Sequence, residues 1–398
     1  MSNIAIIGGG ASGIIAAISA ARQGAYVTIY EKNERIGKKI LATGNGRCNL
    51  TNSKSCISDY HGEDTSFMQN TINTFWHRET IDFFSELGLL TKEEEGGKVY
   101  PYSDRATAVL DVLRAELKRC MVKTECKFDV SDIIKRKNAF EIVSYDGKHA
   151  FADKVIVSAG GKAAPNMGGG RSGYELLTKN GHHITELSPS IVQLKTDTSK
   201  IVGLKGIKCN ASVRLGNNKY FGELLFTEYG VSGPPVFSLS SYYEESGTNT
   251  LEIDFFDKFS SEQIYRLLMN KIPLSDTLED LFTGILHKNI ASAIIKGCGF
   301  EKLSAPCKDL TSREIQKICD VSKCFKLKVL GTQSWNNAQG TKGGIKTDEV
   351  DSISFMSKKI DGLYITGEIL DIDGNCGGYN LQWAWSSGYI AGQHAAQG

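Results

Sequence analysis

Ile4-Ala5-Ile6-Ile7-Gly8-Gly9-Gly10-Ala11-Ser12-Gly13 is a short apolar run entering a glycine turn, and its reading decides the fold. Gly8, Gly10 and Gly13 fit G-x-G-x-x-G. An Ala/Ile-rich helical pattern follows from Ile14 to about Gln23, and a second apolar run, Tyr26 to Tyr30, ends at Glu31. Strand, glycine turn, helix, strand and acid in that order make up the dinucleotide-binding βαβ unit. The first glycine permits the turn, the second lets the backbone approach a pyrophosphate, and the third lets helix and strand pack closely. The helix N-terminus, including Ala11 and Ser12, then faces the phosphates with unpaired N–H groups and a positive dipole end. Glu31, 18 residues after Gly13, is placed to accept hydrogen bonds from ribose hydroxyls. Among 42 glycines the bare pattern is a weak signal; its flanking elements make it specific.

At 398 residues the chain has room for one large domain with insertions or for two to three modules. Apolar content of 41% with 23% charged residues is that of an ordinary soluble protein. Lys plus Arg number 46 against 45 Asp plus Glu, so no global charge advertises a polyanion-binding surface. Ten scattered cysteines without a C-x-x-C pair argue against a zinc ribbon and for reduced cytoplasmic thiols. Ile4 to Ala21 resembles a signal-peptide core only superficially: it has no basic leader, and its glycines belong to the nucleotide turn. No unbroken apolar run reaches the length of a membrane span. The seven histidines show no ligand spacing, so no metal is assigned.

Further along, Lys32 to Asn52 reads as an ordered loop, and Thr71 to Leu90 and Thr107 to Cys120 carry helical spacing. Lys123 to Phe151 has the short alternating runs and Asp146-Gly147 turn of an antiparallel hairpin region. Val155 to Gly161 repeats a strand entering glycines. Gly168, Gly170 and Gly173 form a second formal match; Pro165 and Asn166 break any strand before it, so it reads as a mobile glycine loop entering a helix from Tyr174 to Lys179. Ile191 to Phe256 looks like short strands and turns, and Ser261 to Cys324 is mostly helical, with caps at Ser261 and Thr311-Ser312. Gly362 to Glu368 is a strand ending in Gly-Glu, and Gly377 to Gly392 is a glycine turn leading into a helix. The expected architecture is α/β: a Rossmann-like domain built from both chain ends (residues 1–190 and 346–398), with a β-rich and helical substrate domain inserted at 191–345, its helical part about 261–324.

Four blocks carry a resemblance: Gly8–Gly13 with Glu31; Gly37-Lys-Lys-Ile-Leu-Ala-Thr-Gly-Asn-Gly-Arg-Cys-Asn-Leu-Thr-Asn52; Leu225-Phe-Thr-Glu-Tyr-Gly-Val-Ser-Gly-Pro234; and Gly367-Glu368 through Gly377-Gly-Tyr-Asn-Leu-Gln-Trp-Ala-Trp-Ser-Ser387. They span nearly the whole chain and resemble the bacterial YhiN/BaiN-type flavoproteins, a branch of the two-dinucleotide-binding-domain FAD superfamily. Asn45 departs from relatives that often carry another glycine there, a change that should leave the fold intact.

The resemblance implies FAD rather than NAD at the N-terminal site. The expected contacts are Gly8, Gly10, Ala11, Ser12 and Gly13 in the turn, and Glu31, Lys32, Lys38 and Lys39 after it. Arg47, Cys48 and Asn49 follow in the second block, with Val130, Ala159, Gly160 and Gly161 further on. Gly367, Glu368, Asn380 and Leu381 complete the set at the flavin end, where a helix beginning near Tyr379 would aim its positive end at the flavin pyrimidine edge. Glu368 would bond the ribityl chain, and Arg47 would support the reduced flavin or the pyrophosphate. Cys48 is the candidate catalytic residue, as a proton-donating thiol; its competing reading is a small packed side chain. Thr227, Ser232 and Pro234 serve either the flavin junction or turn-making. Asp371 and Asp373 are either acids near the flavin or solvated loop carboxylates, and at least one of Trp383 and Trp385 belongs to the core.

Within that family two chemistries are physically one: hydride transfer to a C=C bond conjugated with a carbonyl, in a 3-oxo-Δ4 or Δ4,6 bile-acid-like steroid or in uridine of ribosomal RNA. The expected activity is an FAD-dependent oxidoreductase acting on CH–CH bonds, with the steroid favoured. Near-zero net charge and the apolar residues Phe221, Phe226, Tyr229, Val231 and Phe237 of the insertion lean that way. Ribosomal RNA dihydrouridine synthesis is the alternative, served if Lys195, Lys200, Lys205, Lys208, Arg214 and Lys219 form a basic face. Oxidation of a small aminoacetone-type amine and a non-catalytic flavin-binding role are further readings. No independent NAD(P)H fingerprint is present, so NAD(P)H is expected to bind transiently near the flavin.

Overall fold

The computed structural model describes residues 1–397 and divides into two compact units, one of residues 1–190 with 338 onward, the other of residues 191–337. In the first, strand β1 (Asn3–Ile7) is central, and Ile4, Ala5, Ile6 and Ile7 are all buried, as a strand covered on both faces requires. Helix α1 (Ala11–Arg22) follows, apolar nearly all round and buried from Ser12 to Ala20. Strand β2 (Tyr26–Glu31) returns parallel to β1, pairing Ile7 with Tyr30. With β3 (Lys123–Cys126), β4 (Lys154–Val157) and β5 (Leu363–Ile365) the sheet runs β5-β4-β1-β2-β3, every pair parallel. The chain leaves β1 toward β2 on one side, and β4 lies on the other. The carboxyl ends of β1 and β4 therefore frame the crevice where open α/β sheets bind ligands.

The C-terminal helix (Tyr379–Gln397) packs along α1. A Cβ on Gly388 would come within 2.3 Å of the Ser12 carbonyl oxygen, so the two helices meet backbone to backbone. Both tryptophans of this helix are core: Trp383 donates from Nε1 to the Gly367 carbonyl and Trp385 to that of Leu50.

The helical stretch expected at 71–90 is two helices, Gln69–Thr74 and His77–Glu86. Phe75 is extended between them, and the Glu79 carboxylate accepts from Trp76 N–H to start the second helix. Lys123–Cys126 is the sheet's edge strand rather than part of the hairpin region. Three of its four residues are exposed, so it carries no apolar alternation to mark it. The antiparallel sheet proper is Val130–Lys135, Phe140–Ser144 and His149–Ala152.

The second unit is a closed six-stranded barrel of Leu194–Thr196, Lys208–Leu215, Asn218–Thr227, Gly230–Ser232, Thr250–Asp254 and Phe325–Thr332. Helices Ser261–Lys271, Lys288–Gly297 and Ser312–Lys323 accompany it, the first capped by Ser260 rather than Ser261 and the third by Thr311. The boundary expected at 345 falls at 337. Gly340–Lys342 pairs antiparallel with Ser188–Ser190, and Ile345 N–H donates to the Ile369 carbonyl, which binds 338–345 to the first unit.

Candidate active site

The glycine turn shows three separate reasons for its glycines. Gly8 has φ +103°, and a Cβ there would lie 2.5 Å from the Ser158 carbonyl oxygen. A Cβ on Gly13 would meet the Gly8 carbonyl oxygen at 2.0 Å, so this residue lets α1 close onto β1. A Cβ on Gly10 would meet no protein atom within 4 Å, yet Gly10 lines the crevice; the space it leaves is ligand space. Gly10 caps α1 without a side-chain hydrogen bond, so the first-turn N–H groups remain open to an anion. Beside it, Glu31 accepts from Gly9 N–H at 2.8 Å and from both Asn33 nitrogens at 2.8 and 2.6 Å. A carboxylate has about four acceptor positions, so one is left for a hydroxyl.

The crevice is about 760 Å³, open solvent at its mouth included. One wall is the Gly8–Gly10 turn with Glu31, Lys32, Lys38 and Lys39; Val130 lines it as well, and Ala159, Gly160 and Gly161 face it from the end of β4. A second compartment of about 670 Å³ shares Gly10, Lys39, Ser158 and Gly160 with the first, so the two are continuous. Ala11, Ile40, Leu381 and Ala384 make it largely apolar, and Ser12, Gly367, Glu368 and Asn380 also line it. Its polar groups are tied together. Thr366 Oγ1 accepts from Ser12 Oγ at 2.8 Å and lies 2.7 Å from Ser158 Oγ. Gly367 donates its N–H to Ser387 Oγ at 3.0 Å, while its carbonyl accepts from Trp383. Lys39 Nζ sits 2.7 Å from Glu368 Oε2, whereas Glu368 Oε1 is buried with no partner.

That orphaned acceptor, the empty space at Gly10 and the open N-terminus of α1 fit a long dinucleotide. Its phosphates would lie at α1, a hydroxylated chain would pass Glu368, and a flat ring would enter the apolar compartment, which is the outline of FAD. Asn380 holds this end indirectly: its amide accepts from Gly374 N–H and donates to the Gly374 carbonyl, leaving backbone N–H groups of the helix's first turn for the ring.

Four expected contacts lie off the walls of both compartments. Gly13 acts through packing, as above. Arg47 is paired with Glu94 and Asp104 and lies over the Tyr100 ring, 3.9 Å from its centroid. The hydrogen bonds it donates to Glu94 and then to Asp104 raise its pKa further. Cys48 is fully buried, and burial pushes its thiol up to about 12, so it does not fit a proton donor at the cofactor. Asn49 is buried with an unpartnered Oδ1. Asp371 and Asp373 are buried rather than solvated, and burial raises the pKa of Asp371.

The glycines at 168–173 form part of the crevice wall rather than a separate loop. Gly168, Gly169 and Gly173 line it, and a Cβ on Gly169 would fall 1.9 Å from the Ala163 carbonyl oxygen. Asn33, Phe128, Ser158, Thr366 and Gln339 also line the site and were not anticipated. Thr366 adjoins Gly367 and could have been found that way; Gln339 carries no sequence signal.

In the second unit, Phe226 and Val231 lie in the barrel core and are not free to line a pocket, and Phe221 is exposed. Thr227 and Ser232 belong to paired strands, and Pro234 opens the helix Pro234–Ser240. Lys205, Lys208 and Lys219 each sit against a carboxylate, of Glu228, Glu223 and Asp257 respectively. Among the described residues no His/Cys/Asp/Glu cluster could hold a metal, and no helix is long and apolar enough to cross a membrane.

Residues 2–394 match the family described as HI0933-like protein Rossmann domain, and the chain belongs to that family. It is 40% identical over 411 residues, 100% of both chains, to the 3-dehydro-bile acid delta(4,6)-reductase of Clostridium scindens. It is 27% identical over 391 residues, 96% of each chain, to the ribosomal RNA dihydrouridine synthase of Haemophilus influenzae. Its fold is shared with the 3-ketosteroid delta1-dehydrogenase of Sterolibacterium denitrificans at a TM-score of 0.51 and 13% identity, over 100% of both chains.

Proposed function

We propose that this chain is an FAD-dependent reductase of a carbon–carbon double bond conjugated with a carbonyl, and that its acceptor is a 3-oxo-Δ4 or Δ4,6 steroid of the bile-acid type. The observation that carries this reading is the continuity of the crevice from the uncapped N-terminus of α1, past Glu368, into an apolar compartment. Bound FAD would supply, once reduced, the hydride for such a bond. The open first-turn N–H groups of α1 would hold the phosphates, Glu31 and Glu368 would accept from hydroxyls, and Ile40, Leu381 and Ala384 would keep water from the ring. NAD(P)H belongs to this proposal as the transient donor.

The substrate class is supported by the 40% full-length identity to the bile-acid reductase against 27% to the ribosomal RNA enzyme. Of the six basic residues named for an RNA face, Lys205, Lys208 and Lys219 are paired with carboxylates, which leaves fewer cations free to track RNA phosphates. The RNA enzymes among the relatives keep uridine reduction as the second reading.

The test is an anaerobic stopped-flow trace of the photoreduced, FAD-loaded protein mixed with a 3-oxo-Δ4,6 bile-acid derivative. Rapid return of the oxidised flavin absorbance, with the saturated ketone recovered, is the expected result. A flavin that oxygen reoxidises but the enone does not would reject the steroid, and ribosomal RNA would be the next acceptor mixed. Mixing oxidised protein with NADH or NADPH reads donor use as bleaching of the same band.

A further inference from the structure

The apolar compartment holds few polar side chains, and nearly all are spoken for. Ser12 and Ser158 bond Thr366, Thr43 donates to the Ile40 carbonyl at 2.7 Å, and Asn380 is closed on Gly374. Lys39, which lines both compartments, pairs with Glu368 at 2.7 Å. Glu368 Oε1 is free but can only accept. Gln339 differs from all of these: among the described residues its carboxamide has no hydrogen-bond partner, and it lines this compartment.

Its position is fixed by its neighbours. Ala338 and Gly340 are buried while Gln339 is exposed, the period-two alternation of extended chain. Directly after it, Gly340–Lys342 pairs with Ser188–Ser190, and Thr341 Oγ1 accepts from Ala163 N–H at 3.0 Å. The backbone carrying Gln339 is therefore anchored to the segment that follows the β4 glycines, and its side chain alone is uncommitted.

Resting on the reductase reading above, we propose that the Gln339 carboxamide N–H donates a hydrogen bond to the carbonyl oxygen of the bound enone. Hydride addition at the β carbon moves the double-bond electron pair toward that oxygen, and a proton from water then completes the α carbon. A donor aimed at the oxygen stabilises the charge as it develops and also fixes which carbon faces the hydride. Glutamine suits this task because it donates without titrating.

The experiment uses the FAD-loaded full chain, oxidised, with a saturated 3-oxo bile acid carrying ¹³C at C3, read by isotope-edited infrared difference spectroscopy. Wild type should show the carbonyl stretch shifted below its value in an apolar solvent. Gln339→Leu, close in shape, should lose that shift, bind the ketone roughly 2- to 12-fold more weakly, and lose kcat/KM by at least as much. Its FAD content and ligand-free flavin spectrum should match wild type. A Gln339→Leu protein that keeps the shifted band would overturn the assignment. So would a changed ligand-free flavin spectrum with an unchanged band, which would give the amide to the cofactor instead. If wild type neither binds the ketone nor reduces the enone, the substrate reading itself has failed, and the Gln339 assignment falls with it.

Discussion

The two glycine-bearing segments of the first unit, residues 8–13 and 37–52, meet opposite fates. Most of the first lines the crevice, with Gly10 left open toward it. The second begins on the crevice, with Gly37, Lys38, Lys39, Ile40 and Thr43 on its walls, and then turns inward. Asn45 and Cys48 both adopt left-handed backbone, at φ +56° and +60°, and the chain buries Cys48, Asn49 and Leu50 while Arg47 meets Glu94 and Asp104. Asparagine is among the few residues that accept this conformation cheaply, which suits Asn45 to its place. A glycine turn bracketed by a strand and a helix has its orientation imposed by both. A glycine-rich loop without flanking periodicity has none, and its side chains are assigned by whichever partners the tertiary structure brings to it.

The sharpest way to break this contrast is Gly10→Val. Its Cβ would meet no protein atom within 4 Å while its methyls would fill ligand space, so FAD affinity should fall by about 100-fold or more, roughly 3 kcal/mol, with a much smaller effect on apoprotein melting. Isothermal titration with FAD beside thermal melts decides this, and an unaffected Kd would remove the first segment from the cofactor site.

The second segment should respond in the opposite sense. Cys48→Ala empties a small buried volume and should cost about 1 kcal/mol of stability, while the rate of enone reduction stays within a few-fold of wild type. Burial raises the folded pKa of this thiol to about 12 from 9.0. The sign follows: its contribution is complete below pH 9 and is lost as pH climbs toward 12, where the unfolded chain releases the proton first. Wild type should therefore lose more stability than Cys48→Ala between pH 9 and 11 in denaturant titrations, and a rate collapse in the variant would restore Cys48 to the chemistry.

The smallest effect is expected from Arg47→Ala. Its ion pairs are about one-third exposed, so the loss should be about 1 kcal/mol of stability, with FAD affinity unchanged within about two-fold. A ten-fold loss of FAD affinity in that variant would place Arg47 back at the cofactor.

Legibility followed the same division. The β1 turn, Glu31, the glycines after β4 and the Gly367-Glu368 corner were readable because each adjoins an element whose period announces it. Lys123–Cys126 was misplaced because an exposed edge strand has no buried face to leave a pattern. Phe226 and Val231 read equally well as pocket or core, since apolar side chains serve both, and barrel closure put them in the core. The glycines at 168–173 gave a correct pattern in the wrong context: they fit a nucleotide turn formally, and the fold uses them for close backbone approach along the crevice wall.

By itself the sequence determined the βαβ unit, the return of the chain's end to the first domain and the β-rich-plus-helical character of the insertion, because periodicity and turn chemistry are local properties. Only the tertiary structure decided that Arg47 pairs with Glu94 and Asp104, that Cys48 is buried, that Glu368 keeps one free acceptor, and that Gln339 lines the apolar compartment uncommitted. Those outcomes depend on which distant partner satisfies each polar group, and a buried polar group takes the partner that folding delivers, however far away it lies in the chain.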